Sequence, residues 1–281
     1  MKKSTKRILV GLASTFVVIV VLLGVYLFRV ASETGNMTPV ETGQVAPNVF
    51  AVRNGIVNLY LMDSGDGYVA FDAGSDPEVV LEEMASLSID PDQVKAVFLT
   101  HSDFDHTAAL DEFAQAAVFL PELEEQMVDG RTNRFFFFGN SLETEYALLK
   151  DDQVVNIGGL EIRGIATPGH TPGSMCFLVN DTYLYIGDSG SLKDGKVGLF
   201  NDRFNMDNET QATSLRDLAS LTTPTHVFTM HYGVSSNFQA ASDAGISCSV
   251  IRFATRLISG SDTISNELIS TRELAGSCPP N

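Results

Sequence analysis

Thr100-His101-Ser102-Asp103-Phe104-Asp105-His106 sets two imidazoles and two carboxylates within six residues. An apolar, β-prone run (Val94, then residues 96–99) leads into it, so the cluster is expected where a strand ends and a loop begins. Histidine is scarce, five in 281 residues, yet two of the five fall here, and two more, His170 and His231, follow apolar runs in glycine-containing turns. Donors presented from the ends of several strands can converge on one centre, which is how a folded scaffold holds a metal ion.

Working outward, His170 lies in Thr167-Pro168-Gly169-His170-Thr171-Pro172-Gly173-Ser174, Asp188 in Gly187-Asp188-Ser189, and His231 in His231-Tyr232-Gly233. With His101, Asp103, Asp105 and His106 they make seven nitrogen and oxygen donors, enough for two metals sharing a bridging carboxylate and a bridging water. A side-chain nucleophile competes poorly: no Gly-x-Ser-x-Gly elbow occurs, and Cys176 sits inside the apolar run 175–179. His226 opens a strand and matches no ligand position. Tyr232, beside His231, reads either as a packed tyrosine or as a donor to an oxyanion.

In order and spacing, over about residues 45–235, these pieces resemble the metallo-β-lactamase-fold hydrolases. The signature of that family is His-x-His-x-Asp-His, then a His after a Pro-Gly turn, an Asp after Gly, and a final His before Gly. Asp72-Ala73-Gly74 matches a further turn the family commonly has. The resemblance implies an α/β (α+β) fold, an αββα four-layer sandwich with metals at one edge between the two sheets. It places one metal on His101, Asp103 and His170 and a second on Asp105, His106 and His231, with Asp188 bridging and Asp72 orienting a ligand or loop from behind. Asp105, Asp188 and Tyr232 are the catalytic candidates.

The departure is Asp103, which stands where the family has its second His. A carboxylate there makes the first site harder, moving preference from zinc toward iron or manganese. Asp is also shorter than His, so the first site could be left weakly held, with a mononuclear centre on Asp105, His106, Asp188 and His231. The cofactor expected is therefore two divalent ions, zinc before iron or manganese.

Lys2, Lys3, Lys6 and Arg7 precede 21 uncharged residues, 8–28, in which only Ser14 and Thr15 interrupt with small polar side chains. That length spans a bilayer as a helix, with the basic end inside. A cleaved signal peptide is the competing reading, but Arg29 occupies a position where a cleavage site wants a small residue. The expected organisation is an anchor (or signal peptide) over 1–30, a linker over 31–45, the metal-binding domain over 46–260 and a polar tail over 261–281. The domain would then lie outside the cytoplasmic membrane of a bacterial-type cell, or be secreted if the anchor is cleaved.

Residues 1–30 hold five basic and no acidic residues, which leaves 13 of the 18 basic residues against all 35 acidic ones, a formal charge of −22. Such a domain repels phosphate backbones, so no nucleic-acid partner is expected and the substrate is a small molecule. The reaction expected is hydrolysis of a small ester, thioester, lactone, amide or phosphodiester. An iron-dependent oxidoreductase or dioxygenase, and a non-catalytic ligand- or partner-binding module, are the alternatives. Phe135, Phe136, Phe137 and Phe138 fit neither a helical nor an alternating pattern and read as a buried strand, a lid over the site or a partner-facing patch. Three cysteines are too few for a disulfide scaffold, although Cys248 and Cys278 could pair in an oxidising compartment.

Overall fold

The computed structural model describes residues 3–134 and 139–242, and the chain divides into two units after Met37. The first is a single helix, α1 (Lys3–Thr34). Its stretch Gly11–Thr34 is long and apolar enough to cross a membrane, and none of it is buried.

The second unit is a sandwich of two sheets. Strands β1 (Gly43–Ala46), β2 (Val49–Asn54), β3 (Val57–Asp63) and β4 (Tyr68–Phe71) form an antiparallel meander. Helix α2 (Pro77–Ser86) follows, started by the Asp76 side chain, which accepts from the Glu78 and Val79 amides, and by Pro77, whose missing N–H costs nothing there. Strands β5 (Val94–Phe98), β6 (Ala117–Pro121) and β7 (Tyr146–Leu149) then add in parallel, completing seven strands in chain order. The short helices α3 (Phe104–Thr107) and α4 (Glu125–Val128) lie in the connections.

The second sheet begins with β8 (Val154–Ile157), β9 (Leu160–Ala166), β10 (Met175–Val179) and β11 (Tyr183–Tyr185), each antiparallel to the next. A separate ribbon, β12 (Ser191–Lys193) with β13 (Lys196–Gly198), and helix α5 (Asn208–Ala219) precede the last two strands. Strand β14 (His226–Thr229) joins parallel to β11, and β15 (Gly233–Ser235) closes the edge antiparallel to β14.

Between the sheets Tyr60, Phe71 and Phe98 meet Phe177, Tyr185 and Phe228, all fully buried. Phe71 stacks on Tyr185 with ring centroids 3.8 Å apart, and the Tyr60 hydroxyl donates to the Thr229 carbonyl (2.8 Å), so the one polar atom of that ring is satisfied. The alternate residues Leu59, Leu61, Ala70, Val97 and Leu99 face the other way, under Val80 and Met84 of α2. Both faces of this sheet are covered, so β3 is buried continuously from Val57 to Met62 rather than alternately, the side-chain amide of Asn58 there being satisfied by the Val40 backbone.

The topology fixes where the site must lie. Strands β4 and β5 are parallel, β9 and β11 share a direction because both oppose β10, and β14 runs with β11. Their carboxyl ends deliver Asp72, His101, His170, Asp188 and His231 to one edge of the sandwich.

Some local expectations are corrected. The residues after His106 predict a helix over 107–114, where the structure has α3 plus a separate 3-10 turn (Leu110–Phe113), and the acidic run predicts one over 122–128, where a 3-10 turn (Glu122–Glu124) leads into α4. Strand β7 and the β12–β13 ribbon were not anticipated; both are too short for periodicity to register, and Ala147 and Leu148 of β7 are exposed. Phe135 to Phe138, Cys248, Cys278 and the polar tail lie outside the described residues, as does most of 238–257, over which the sequence predicts a final helix.

Candidate metal centre

Four of the five histidines converge, and each has one ring nitrogen already assigned. His106 Nδ1 lies 2.8 Å from Asp72 Oδ2, His231 Nδ1 2.7 Å from the Ile56 carbonyl, and His170 Nδ1 3.2 Å from Asn205 Oδ1. His101 Nδ1 lies 3.0 Å from Thr100 Oγ1, whose own proton goes to Asp72 Oδ2 (2.8 Å). Every one of these partners is an acceptor, so each Nδ1 carries the proton and each Nε2 is turned toward the centre. His101 Nε2, His106 Nε2, His231 Nε2 and Asp188 Oδ1 are buried with no hydrogen-bond partner among the described residues. Four orphaned donor atoms in one place would each cost about 1–3 kcal/mol if nothing bound them.

The donors fall into two groups that share Asp188. In one, His231 Nε2 is 3.4 Å from both Asp105 Oδ2 and Asp188 Oδ1, and His106 Nε2 is 3.8 Å and 3.7 Å from the same two oxygens. Zinc with bonds of about 2.0–2.1 Å brings neighbouring donors to about 3–3.5 Å of one another, so this cage fits such an ion with small adjustment. In the other, Asp103 Oδ2 is 3.5 Å from His101 Nε2 and 3.2 Å from His170 Nε2, and His170 Nε2 is 3.4 Å from Asp188 Oδ2. The two Asp188 oxygens thus face different groups, the arrangement a bridging carboxylate requires.

Electrostatics agree with a cation site. Burial alone would raise the Asp105 carboxyl, but His106 and His231 outweigh it and hold it down at about 2. Asp188 and Asp103 are also held well below the usual range against their burial, Asp188 by His231, His106 and His170, and Asp103 by His101 and His170. Burial would depress His106, yet Asp72, Asp105 and Asp188 push it up to about 9. His231 is raised for the same reason, by Asp188 and Asp105, whereas burial wins at His170 and lowers it.

Behind the donors sit groups that fix them. Asp72 is fully buried in left-handed backbone (φ 61°), a conformation costing a non-glycine residue about 1 kcal/mol or more, and it accepts from the Thr100 amide (2.7 Å) as well as from Thr100 Oγ1 and His106. Tyr232 is packed, its ring edge-on to Phe200 (5.9 Å) and 5.0 Å from Lys193 Nζ. His226 stacks on Phe228 at the start of β14 and belongs to neither group. Cys176 is buried and unbridged, its thiol pushed up to about 11 by burial.

Three residues escaped the sequence reading. Glu124, fully buried, accepts from the Ser102 amide (2.9 Å) and hydroxyl (2.6 Å) with one oxygen, and from Thr171 Oγ1 (2.6 Å) and the Gly173 amide (3.1 Å) with the other. It ties the loop of His101 to the loop of His170. Gly173 must be glycine for the approach, since a Cβ there would lie 2.0 Å from the Glu124 nitrogen. Asn140 Nδ2 donates to Ser102 Oγ (2.8 Å) and Asp103 Oδ1 (3.1 Å), and Arg134 Nη2 donates to Asp103 Oδ2 (2.5 Å).

The family model described as the metallo-beta-lactamase superfamily matches residues 52–231, well over half of the chain. The chain belongs to that superfamily. Among superfamily relatives, the "probable metallo-hydrolase YqgX" of Bacillus subtilis (strain 168) is 31% identical over 181 residues, which cover 62% of this chain and 82% of that one. The "probable polyketide biosynthesis zinc-dependent hydrolase BaeB" of Bacillus velezensis is 28% identical over 124 residues, 43% of this chain but only 48% of its own length. A solved B3 metallo-β-lactamase described as the first with an active-site glutamic acid superposes with a TM-score of 0.60 at 18% identity, covering 83% of this chain and 95% of that one. That likeness shows the α/β sandwich fold.

Proposed function

We propose that the protein is a zinc-dependent hydrolase of a small ester, thioester, lactone, amide or phosphodiester, anchored by α1 with its catalytic domain outside the cytoplasmic membrane. The observation that carries the hydrolase reading is the set of orphaned atoms, His106 Nε2, His231 Nε2 and Asp188 Oδ1 in one group and His101 Nε2 in the other, which are the donor types a metal cation binds. His106, His231, Asp105 and Asp188 would hold one ion, and His101, Asp103 and His170 offer a second donor group against the other Asp188 oxygen. Zinc bound there supplies a water of lowered pKa and polarises the substrate oxygen.

The chain's own residues do the rest. Asp105 stays ionised, and its side chain is 34% exposed where those of His106 and His231 are fully buried, so it is the carboxylate placed to take a proton from an attacking water at the mouth of the site. Asp72, Thr100, Asn205 and the Ile56 carbonyl hold the imidazoles in one tautomer and one orientation. The relatives named as metallo-hydrolase and zinc-dependent hydrolase support the reaction class and the metal. Asp103 favours a second reading with iron or manganese, because it replaces a neutral donor by a hard anionic one. The anchor is supported by the length and exposure of Gly11–Thr34, and its orientation by the basic residues before it.

The test is elemental analysis of the full chain purified without chelator, followed by a panel of ester, thioester, lactone, β-lactam and phosphodiester substrates before and after chelation and zinc restoration. Zinc with chelator-sensitive turnover is expected. Iron at stoichiometry would replace zinc in the proposal, and failure to take up any of zinc, iron or manganese would end it.

A further inference from the structure

We propose that the Arg134 guanidinium is a built-in cation of the centre, standing in for the metal ion at His101, Asp103 and His170, so that the chain works with a single resident metal. This rests on the metal-dependent reading above. Arg134 Nη2 lies 2.5 Å from Asp103 Oδ2 and 3.2 Å from His170 Nε2, and Nη1 is bound to the Phe204 carbonyl. His170 Nδ1 gives its proton to Asn205 Oδ1, whose own amide nitrogen is spent on Asn208 and Gln211. The His170 lone pair is therefore on Nε2, and it faces Arg134.

The guanidinium thus uses two of the three donor atoms a metal would need in this group. Asp103 Oδ2 is the oxygen nearest both His101 Nε2 and His170 Nε2, and it is the one Arg134 grips. Both partners are largely shielded from water, with side chains 16% and 18% exposed, so this is a charge-assisted bond in a partly dry site rather than a screened surface pair. Asn140 takes the other Asp103 oxygen, which fixes the carboxylate with Oδ2 toward Arg134.

The pairing accounts for Asp103 itself. A histidine at that position offers a neutral lone pair, to which a metal ion binds well and a guanidinium weakly. An aspartate offers an anion, to which a guanidinium binds well. Among the described residues the other donor group has no such competitor: His106 Nε2, His231 Nε2 and Asp188 Oδ1 lack partners, whereas the Asp103 oxygens and His170 Nε2 have them and only His101 Nε2 of the first group does not.

The experiment is zinc stoichiometry and affinity on the full-length chain in a non-chelating detergent, by calorimetric titration and by metal analysis after equilibrium dialysis. Wild type, Arg134→Gln and Arg134→Met are compared, two neutral replacements of different shape so that one misfolded variant does not decide the matter. One tight zinc is expected in wild type and two in the variants, with the second ion bound at least tenfold more tightly than in wild type. Two equally tight ions in wild type would overturn the proposal without any variant. One ion throughout, with a second appearing only in Asp103→His, would also overturn it and assign the missing site to the reach of Asp103, leaving the metal-dependent reading intact. No zinc in any form would overturn both.

Discussion

The Asp72 carboxylate accepts a 2.8 Å hydrogen bond from His106 Nδ1 while its other oxygen accepts the Thr100 amide at 2.7 Å. One buried side chain thereby locks the tautomer of a donor on α3 and the backbone from which His101 projects. Asp72→Asn puts an N–H against one of these donors, and the imidazole is left free to turn. Zinc affinity is expected to fall about 10–100-fold, with the fold retained, by competition titration against a chromogenic chelator and circular dichroism. Unchanged affinity would show that the bond does not orient the ligand.

His106→Ala and His231→Ala each remove one corner of the cage that includes Asp105 and Asp188. Both variants are expected to retain almost no metal after dialysis and to lose chelator-sensitive turnover. His226→Ala, outside both groups, is expected to keep both. Metal retained in full by either of the first two variants would move the site elsewhere.

Protons and metal compete for the same Nε2 atoms. The His106 pKa in the folded chain, about 9, lies above the free value of 6.5, so its protonated form stabilises the metal-free chain below pH 6.5 and that contribution is lost as pH rises through 9. Binding an ion at pH 7 must expel this proton. Apparent zinc affinity is therefore expected to rise about tenfold per pH unit per proton released and to level off near pH 9. Calorimetry at pH 7 in two buffers of different ionisation enthalpy counts the protons, and zero released would contradict the carboxylate-raised His106.

Glu124 holds two loops through four accepted hydrogen bonds, two of them from backbone amides. Removing its carboxyl leaves buried donors unpaired, at about 1–3 kcal/mol each. Glu124→Ala is expected to lose about 3 kcal/mol or more of stability in urea unfolding, and Glu124→Gln less, because one oxygen remains. Gly173→Ala should resemble the first, since its Cβ must displace Glu124. A loss under about 1 kcal/mol for Glu124→Ala would mean water replaces the carboxyl at little cost.

The sequence by itself determined the candidate donor types, their order along the chain and the strand ends that carry them. Scarce histidines after apolar runs, next to Asp103, Asp105 and Asp188, carry a signal that survives without coordinates. The meander 49–71, the Gly158-Gly159 hairpin and the capped start of α2 are also marked in the local sequence, because turn glycines and N-caps act within a few residues of chain.

Only the tertiary structure decided which polar groups stand behind and beside the donors. Glu124 lies in the acidic stretch that reads as a helix over 122–128, with nothing local to mark it as buried, yet it is fully buried while its neighbour Leu123 is 53% exposed. Arg134 reaches Asp103 across 31 residues and Glu124 reaches Gly173 across 49. Such contacts leave no mark in local spacing, because what stabilises them is desolvation and charge created when the two sheets close, and both exist only once the chain has folded.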